Sequence, residues 1–357
     1  MEAVRIRTDE AVIGMVVAAD IYSSNDQLII TKGAMLDEKI IAKLRYYGIY
    51  GFYVYKGDPK KEVHKEESYL DMVRSTPEFK KFNRTYVESI DKVEDSFHSI
   101  VSGEYANDLN KLIEETDKIL MQGRNGIHIL EMLHGIRDYD DITYVHSINV
   151  SLICNIFAGW LKMSKEETKV LTLAGLFHDI GKMLTDVDIV KKPGRLTKDE
   201  YKDMKLHSVK GYQVLKDMNL DIRIKYATLM HHERCDGSGY PNGFRADQIE
   251  RMSKIVAIAD VYDAMTSNRT YRGPICPFEV VSNFERDGFL KFDPGYLMIF
   301  LERIVESYLH NLVRLNDGRE GEVVMINKLS LSRPVIRCGD EFVDLSKEPK
   351  LSIESVL

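Results

Sequence analysis

Apolar residues recur at steps of three and four along most of this chain. The longest series, Phe79, Phe82, Tyr86, Ile90, Val93, Phe97 and Ile100, predicts an amphipathic helix with Pro77 in its first turn. Gly103 interrupts the stripe, and Leu109, Leu112, Ile113, Ile119 and Leu120 resume it. It is expected to pack against the segment that follows. It holds too few clean heptads for a coiled coil, and a homodimer seam is its alternative use. Ser147 to Leu161 and Lys165 to Phe177 each read as apolar on one face. Thr197-Lys198-Asp199-Glu200 is a capping box, expected to start a helix carrying Met204 and His207. Ile224 to Met230 reads as the end of a helix, and Asp247 as the cap of another through Ile249 and Met252. Ile255 to Tyr262 has no clear period and is assigned to a helix by its surroundings. Gly288, Pro294 and Gly295 mark a loop before a last helix, Leu297 to His310.

The two ends follow a different rule. Val4-Arg5-Ile6, Gly14 to Ala18, Leu28 to Thr31 and Ile49 to Tyr55 are strand-like, with a turn signal at Asn25-Asp26. Asp37 is placed to cap a helix through Ile40, Ile41 and Leu44 that stops at Gly48. Lys56 to Lys65 reads as a polar linker. Beyond Val313, Asp317-Gly318 is a hairpin signal, and Glu322 to Ile326 and Pro334 to Arg337 alternate like strands. The expectation is a mainly α protein in four parts. These are a small mixed α/β accessory unit (1–57), a linker and helical segment (58–125), a helical domain (126–312) and a short β appendage (313–357). The first part shows no evident chemistry.

Composition narrows the field a little. A chain of 357 residues with 44% hydrophobic and 29% charged residues is ordinary for a globular protein of more than one unit. Its net charge of −7 leaves no basic footprint for a nucleic-acid polymer. Cys154, Cys235, Cys276 and Cys338 are far apart, with no CxxC spacing, which suits a reducing compartment. Cys235 has no activating pair and is read as a tolerated thiol. The N-terminus lacks a signal-peptide core, and the longest apolar run, Val170 to Phe177, is too short to span a bilayer. The expected location is cytoplasmic, without membrane insertion.

The candidate chemistry lies in the histidines. His231-His232 follows an apolar run and precedes a glycine-rich turn through Gly237, Gly239, Tyr240 and Gly243. Adjacent imidazoles diverge by about 100° on a helix, so both reach one metal only at the helix end. A surface pair before an ordinary turn has the same pattern. His178-Asp179 ends an apolar helix, and Asp260 lies inside another apolar run. Such positions reject charge unless a partner or a metal compensates. His64, His98, His128, His134 and His310 are read as core or capping residues.

Set side by side, these pieces resemble the HD-GYP family. They are His178-Asp179 with Gly181-Lys182, His207 with Gly211, His231-His232-Glu233 with Asp236-Gly237-Ser238-Gly239-Tyr240-Pro241, and Asp260 with Asp263-Ala264-Met265-Thr266. The resemblance covers about residues 126 to 310. It implies an all-helical HD-type metal-dependent phosphohydrolase domain. It also implies seven metal ligands, His146, His178, Asp179, His207, His231, His232 and Asp260, with Asp179 bridging two divalent ions. Ile142 stands where some members carry a glutamate for a third metal, so two metals are expected, iron or manganese by resemblance. Nitrogen and oxygen donors alone do not choose among iron, manganese, zinc and nickel. Lys182 is expected at the scissile phosphate or leaving oxygen, Arg269 and Arg272 at the phosphates, and Tyr240 at a guanine. Asp236 is expected to shape its loop.

The implied activity is hydrolysis of cyclic di-GMP to pGpG, with onward cleavage to GMP left open. The alternatives are a phosphodiesterase for another cyclic dinucleotide and a non-catalytic module that senses the dinucleotide through signalling partners. The complete ligand set and the presence of Lys182 favour turnover over sensing.

Overall fold

The computed structural model describes residues 3–23, 27–55, 73–104, 109–136, 143–192, 194–267 and 275–357. The turn at Asn25-Asp26, the linker from Lys56 and His64 lie outside the described residues. The chain divides into two compact units. One comprises residues 1–84, 121–136 and the last residue; the other comprises 85–120 and 137–356.

In the first unit, strand β1 (Ala3–Arg7) starts a small mixed core. β2 (Ile21–Tyr22) pairs antiparallel with β3 (Leu28–Ile30). Helix α1 (Glu38–Tyr46) follows. Its cap is Asp37, whose carboxylate accepts from the Ile40 amide at 2.6 Å. Gly48 closes that turn with φ +63°, a conformation glycine adopts without steric cost. β4 (Gly51–Tyr55) returns to pair antiparallel with β1, Ala3 opposite Tyr55. Val17, Ile29, Leu36, Leu44, Phe52 and Val54 form the core. The segment from Gly14 to Ala18 is not the strand its alternation suggests. It makes single bridges, Val16 to Met35 and Val17 to Val54. Its amides bond to carbonyls of the turn before α1 and of β4, so no regular ladder forms.

Helix α2 (Pro77–Ser102) starts at Pro77, as expected. Its seven-residue apolar stripe is buried throughout. Within the second unit, Phe97 stacks on Phe177 at 5.6 Å and meets Tyr144 edge-on at 5.9 Å. Tyr86 donates its hydroxyl to Asn149 Oδ1 at 2.6 Å. These positions are filled from within the chain and do not form an exposed dimer seam. Helix α3 (Leu109–Leu120) continues the stripe with Leu112 and Ile119 buried. Helix α4 (Gly126–Gly135), capped by Asn125, packs in the first unit.

The second unit is built on α5 (Thr143–Trp160) and α6 (Lys165–Phe177). α5 is buried without interruption from Val145 to Cys154, not on one face only. A helix surrounded by neighbours has no solvent side and needs no polar stripe. A 3-10 turn at Ile180–Leu184 leads to α7 (Lys198–Lys205) and α8 (His207–Leu215). The capping box at Thr197 and Glu200 starts α7, but that helix stops at Lys205 and His207 opens the next. α9 (Ile222–Met230) precedes the glycine-rich loop, and α10 (Arg251–Thr266) follows it. Glu250, not Asp247, caps α10; its carboxylate accepts from the Met252 and Ser253 amides. Gly288 lies inside α11 (Pro277–Lys291) and is not a loop residue. α12 (Pro294–Glu306) starts at Pro294 because Asp293 caps it, and ends before His310.

A five-stranded antiparallel sheet completes this unit. It contains β5 (Leu312–Leu315), β6 (Glu320–Met325), β7 (Val335–Cys338), β8 (Glu341–Asp344) and β9 (Ile353–Val356), in the order β8-β7-β6-β5-β9. Gly318, at φ +88°, turns the β5–β6 hairpin where Asp317-Gly318 predicts it. Among the described residues, no helix is long and apolar enough to cross a membrane.

Candidate metal centre

Five helix ends and one buried helix supply the site. His178 follows α6, and Asp179 leads into the 3-10 turn. That turn crosses α8 backbone against backbone. A Cβ at Gly181 would collide with the His207 carbonyl and lie 2.5 Å from the Gly211 amide, so only glycine permits the crossing. The crossing brings His178-Asp179 up to His207, the first residue of α8. Thr228 donates its hydroxyl to the Phe177 carbonyl at 3.2 Å and ties α9 to the same place. His231-His232 at the end of α9 therefore arrives beside Asp179. His146 on α5 and Asp260 on α10 close the site from the core.

The donors fall into two groups that share Asp179. One is Asp179, His207, His231 and His232; the other is His146, His178 and Asp179. In each, the ligating atoms lie within 4.8 Å of one another. Asp179 Oδ1 is 3.2 Å from His207 Nε2 and 3.7 Å from His231 Nε2. Its other oxygen, Oδ2, is 3.3 Å from His178 Nε2 and 3.6 Å from His146 Nε2. Asp260 Oδ1 lies 3.1 Å from His146 Nε2, and its Oδ2 3.9 Å from His232 Nδ1.

Ring orientation is set by the far nitrogen. His178 Nδ1 donates to the Gly175 carbonyl at 2.7 Å, His207 Nδ1 to Met204 at 2.6 Å, and His231 Nδ1 to Thr228 at 3.0 Å. Each acceptor lies three residues earlier in the chain. A carbonyl only accepts, so the proton is on Nδ1 and the Nε2 lone pair points into the centre. His146 Nδ1 meets the Asp263 carboxylate at 2.7 Å instead.

The unpaired electrostatics fit divalent cations. His178 Nε2 is 3.2 Å from His146 Nε2, and His207 Nε2 is 3.3 Å from His231 Nε2. Inward lone pairs at these distances repel unless a cation or a proton lies between them. Asp179 Oδ1 is buried with no hydrogen-bond partner, a costly state that a metal relieves. Burial lowers His207 to about 3 and pushes His231 and His232 down as well, so these rings are neutral and ready to ligate. Burial alone would raise Asp179 and Asp260. Lys182 and His178 at the first, and His146 at the second, outweigh it and hold both carboxyls well below their usual range. Burial would also lower His146, but its bonds to Asp260 and Asp263 raise it to about 10. A metal at His146 must therefore displace a proton.

All seven ligands expected from the sequence converge here. Lys182 Nζ sits 2.6 Å from Asp179 Oδ2 at the rim. The Tyr240 ring stacks on His232 with centroids 4.6 Å apart. Arg269, Arg272 and Ile142 lie outside the described residues. Asp236 accepts from the Ser238 amide and hydroxyl and so shapes its loop. His98, His128 and His310 have partners away from the centre: Tyr144, the Arg124 amide and Glu322. Two residues had no assigned role in the sequence. Asp263 orients His146, and the available signal is its spacing of three from Asp260 on one helix face. Buried Glu233 accepts from the Asn242 and Phe244 amides and folds the loop behind Tyr240.

Fold and donor set together define a helical protein whose His/Asp centre suits divalent metal ions. Residues 128–294 match the family described as HD domain. The chain is 33% identical over 228 residues to a cyclic di-GMP phosphodiesterase of Pseudomonas aeruginosa, covering 63% of this chain and 54% of that protein. It is 33% identical over 210 residues to a cyclic di-GMP phosphodiesterase of Thermotoga maritima, covering 55% and 57%. It is 40% identical over 141 residues to a 3'3'-cGAMP-specific phosphodiesterase of Vibrio cholerae, covering 39% and 32%. The chain thus spans about half or less of the length of these relatives. In fold it resembles an HDG"Y"P protein of Bdellovibrio bacteriovorus, with a TM-score of 0.51 at 16% identity, covering 85% of this chain and 99% of that one. Residues 128–294 thus form a domain of the HD domain family, and within it the His178-Asp179 and Gly239-Tyr240-Pro241 sequences resemble the HD-GYP signatures.

Proposed function

We propose that this protein is a metal-dependent phosphodiesterase that hydrolyses cyclic di-GMP to linear pGpG and so lowers a bacterial second messenger. The observation that carries the reading is Asp179, whose two oxygens face separate histidine groups. Two divalent ions, iron or manganese, would occupy those groups and supply Lewis acidity toward a phosphodiester. His146, His178, Asp179, His207, His231, His232 and Asp260 are the proposed ligands. Lys182, at the rim beside Asp179, would neutralise charge on a phosphate oxygen or hold the proton for the leaving oxygen. Tyr240 is the proposed guanine contact, and Arg269 and Arg272 the proposed phosphate contacts. Residues 126–312 would be the catalytic domain, 1–57 an accessory unit, 58–125 its connection and 313–357 an appendage. The substrate and the free cysteines suit the cytoplasm.

Metal-loaded protein should convert cyclic di-GMP to pGpG, and Asp179→Ala should fall to background. Absence of product with iron or manganese bound would remove the reading. An Asp179→Ala protein as active as wild type would remove the metal assignment. Elemental analysis should find about two metals per chain. One observation favours a second reading, in which another cyclic dinucleotide is the substrate. One of the similar proteins, from Vibrio cholerae, is described as a 3'3'-cGAMP-specific phosphodiesterase. Parallel turnover of both dinucleotides separates the readings.

A further inference from the structure

An aromatic and cationic ledge leads away from the metal centre. The Tyr240 ring stacks on His232, and Lys205 Nζ lies 5.7 Å from the Tyr240 ring centre. The same ammonium lies 5.0 Å from the ring centre of Tyr201. Tyr201 and Lys205 are four residues apart on α7, which places them on one helix face. Lys205 comes two residues before the ligand His207, so the ledge is fixed to the centre through the backbone. Tyr201 is 51% exposed. A large aromatic ring held open beside a buried site, with a cation between it and a second tyrosine, fits a flat π-face joined to an anion.

We infer that Tyr201 and Lys205 form an outer subsite for the substrate, with Tyr201 stacking on a purine and Lys205 pairing with the phosphate that is not cut. This rests on the phosphodiesterase reading above. A cyclic dinucleotide carries two purines and two phosphates. If one phosphate lies at Asp179 and Lys182 and one base at Tyr240, the remaining base and phosphate need a separate place. The Tyr201–Lys205 ledge lies next to Tyr240 and offers both kinds of contact.

The test is steady-state kinetics with cyclic di-GMP and with methyl p-nitrophenyl phosphate, a diester that has no purine. Tyr201→Ala should raise KM for cyclic di-GMP about tenfold, as loss of one base–aromatic stack does, with kcat within about twofold. Tyr201→Phe should restore the wild-type KM, because the ring and not the hydroxyl makes the contact. Lys205→Ala should raise KM and flatten its dependence on salt, and Lys205→Arg should restore it. Hydrolysis of the small diester and metal content should not change in any of these variants. An unchanged KM in Tyr201→Ala, in a wild-type background that turns over cyclic di-GMP, would overturn the ledge alone. An equal fall in small-diester hydrolysis would also overturn it, by showing that Tyr201 supports the centre itself. A wild-type protein that cleaves the small diester but no cyclic dinucleotide would overturn the substrate reading and the ledge with it.

Discussion

Asp263 shows how much one residue away from the ligands decides. Its carboxylate holds His146 Nδ1 at 2.7 Å and fixes which ring nitrogen faces the centre. Replacing it with asparagine keeps the shape and removes the charge. Partners of this kind typically contribute 10- to 100-fold to metal affinity. Asp263→Asn should therefore weaken metal binding by about that factor, read by competition with a chromophoric chelator. Unchanged affinity would mean that Asp263 only fills space. His146 is also the ring whose proton a metal must displace. The neutral rings His207, His231 and His232 carry no such penalty, because burial, helped by neighbouring cationic groups, holds them unprotonated.

At the scale of elements, the helix ends explain what could be read beforehand. α1 has a cap, an apolar stripe and a stop, and its limits follow from Asp37 and Gly48. One position on it opposes folding. Burial lowers the Lys43 amine from 10.5 to about 8. Above about 10.5 the amine is neutral both folded and unfolded, and the penalty vanishes. As pH falls the unfolded chain takes the proton first, so stability is lost down to about 8 and stays lower below it. Lys43→Met should stabilise the protein at pH 7 by about 1–2 kcal/mol, after allowance for solvent reaching the half-buried amine. The gain should shrink by pH 10. Thermal unfolding of both proteins at the two pH values checks this; an equal gain at both would mean that packing, not charge, is responsible.

The same scale shows where the sequence misleads. α5 and α10 have weak periodicity because they are buried on nearly all sides, so alternation carries no information about their faces. Asp247 and Glu250 are both acidic residues before an apolar run, and only the geometry of the amides distinguishes the cap. Asp179 and Asp260 were legible because a buried charge is conspicuous in an apolar helix, whereas the full set of seven expected ligands rested on the family resemblance. Asp263 was equally visible, but the purpose of a residue that acts through another is not written in its own surroundings.

For the whole molecule, the centre joins α5, the end of α6, α8, the end of α9 and α10. Cations bound there would connect elements from residue 146 to residue 260. A ligand that binds only the folded state stabilises it by about 2.7 kcal/mol at 100 times its dissociation constant. Chelation should lower the thermal midpoint, and added manganese should restore it. Asp179→Ala should not respond to either. A midpoint in the wild-type protein that is indifferent to metal would argue against a load shared among these helices.

The three backbone acceptors, at Gly175, Met204 and Thr228, have one more consequence. A carbonyl is present whatever side chain its residue carries. The aiming bond itself therefore needs no particular side chain, although a Cβ at Gly175 would meet the Val150 carbonyl at 2.9 Å and the Thr228 hydroxyl has its own bond to Phe177. Vulnerability to point mutation gathers at His146, the one ring of these four aimed by a side chain. The aim of His178, His207 and His231 depends on the helix turns before them, whereas that of His146 depends on the side chain of Asp263.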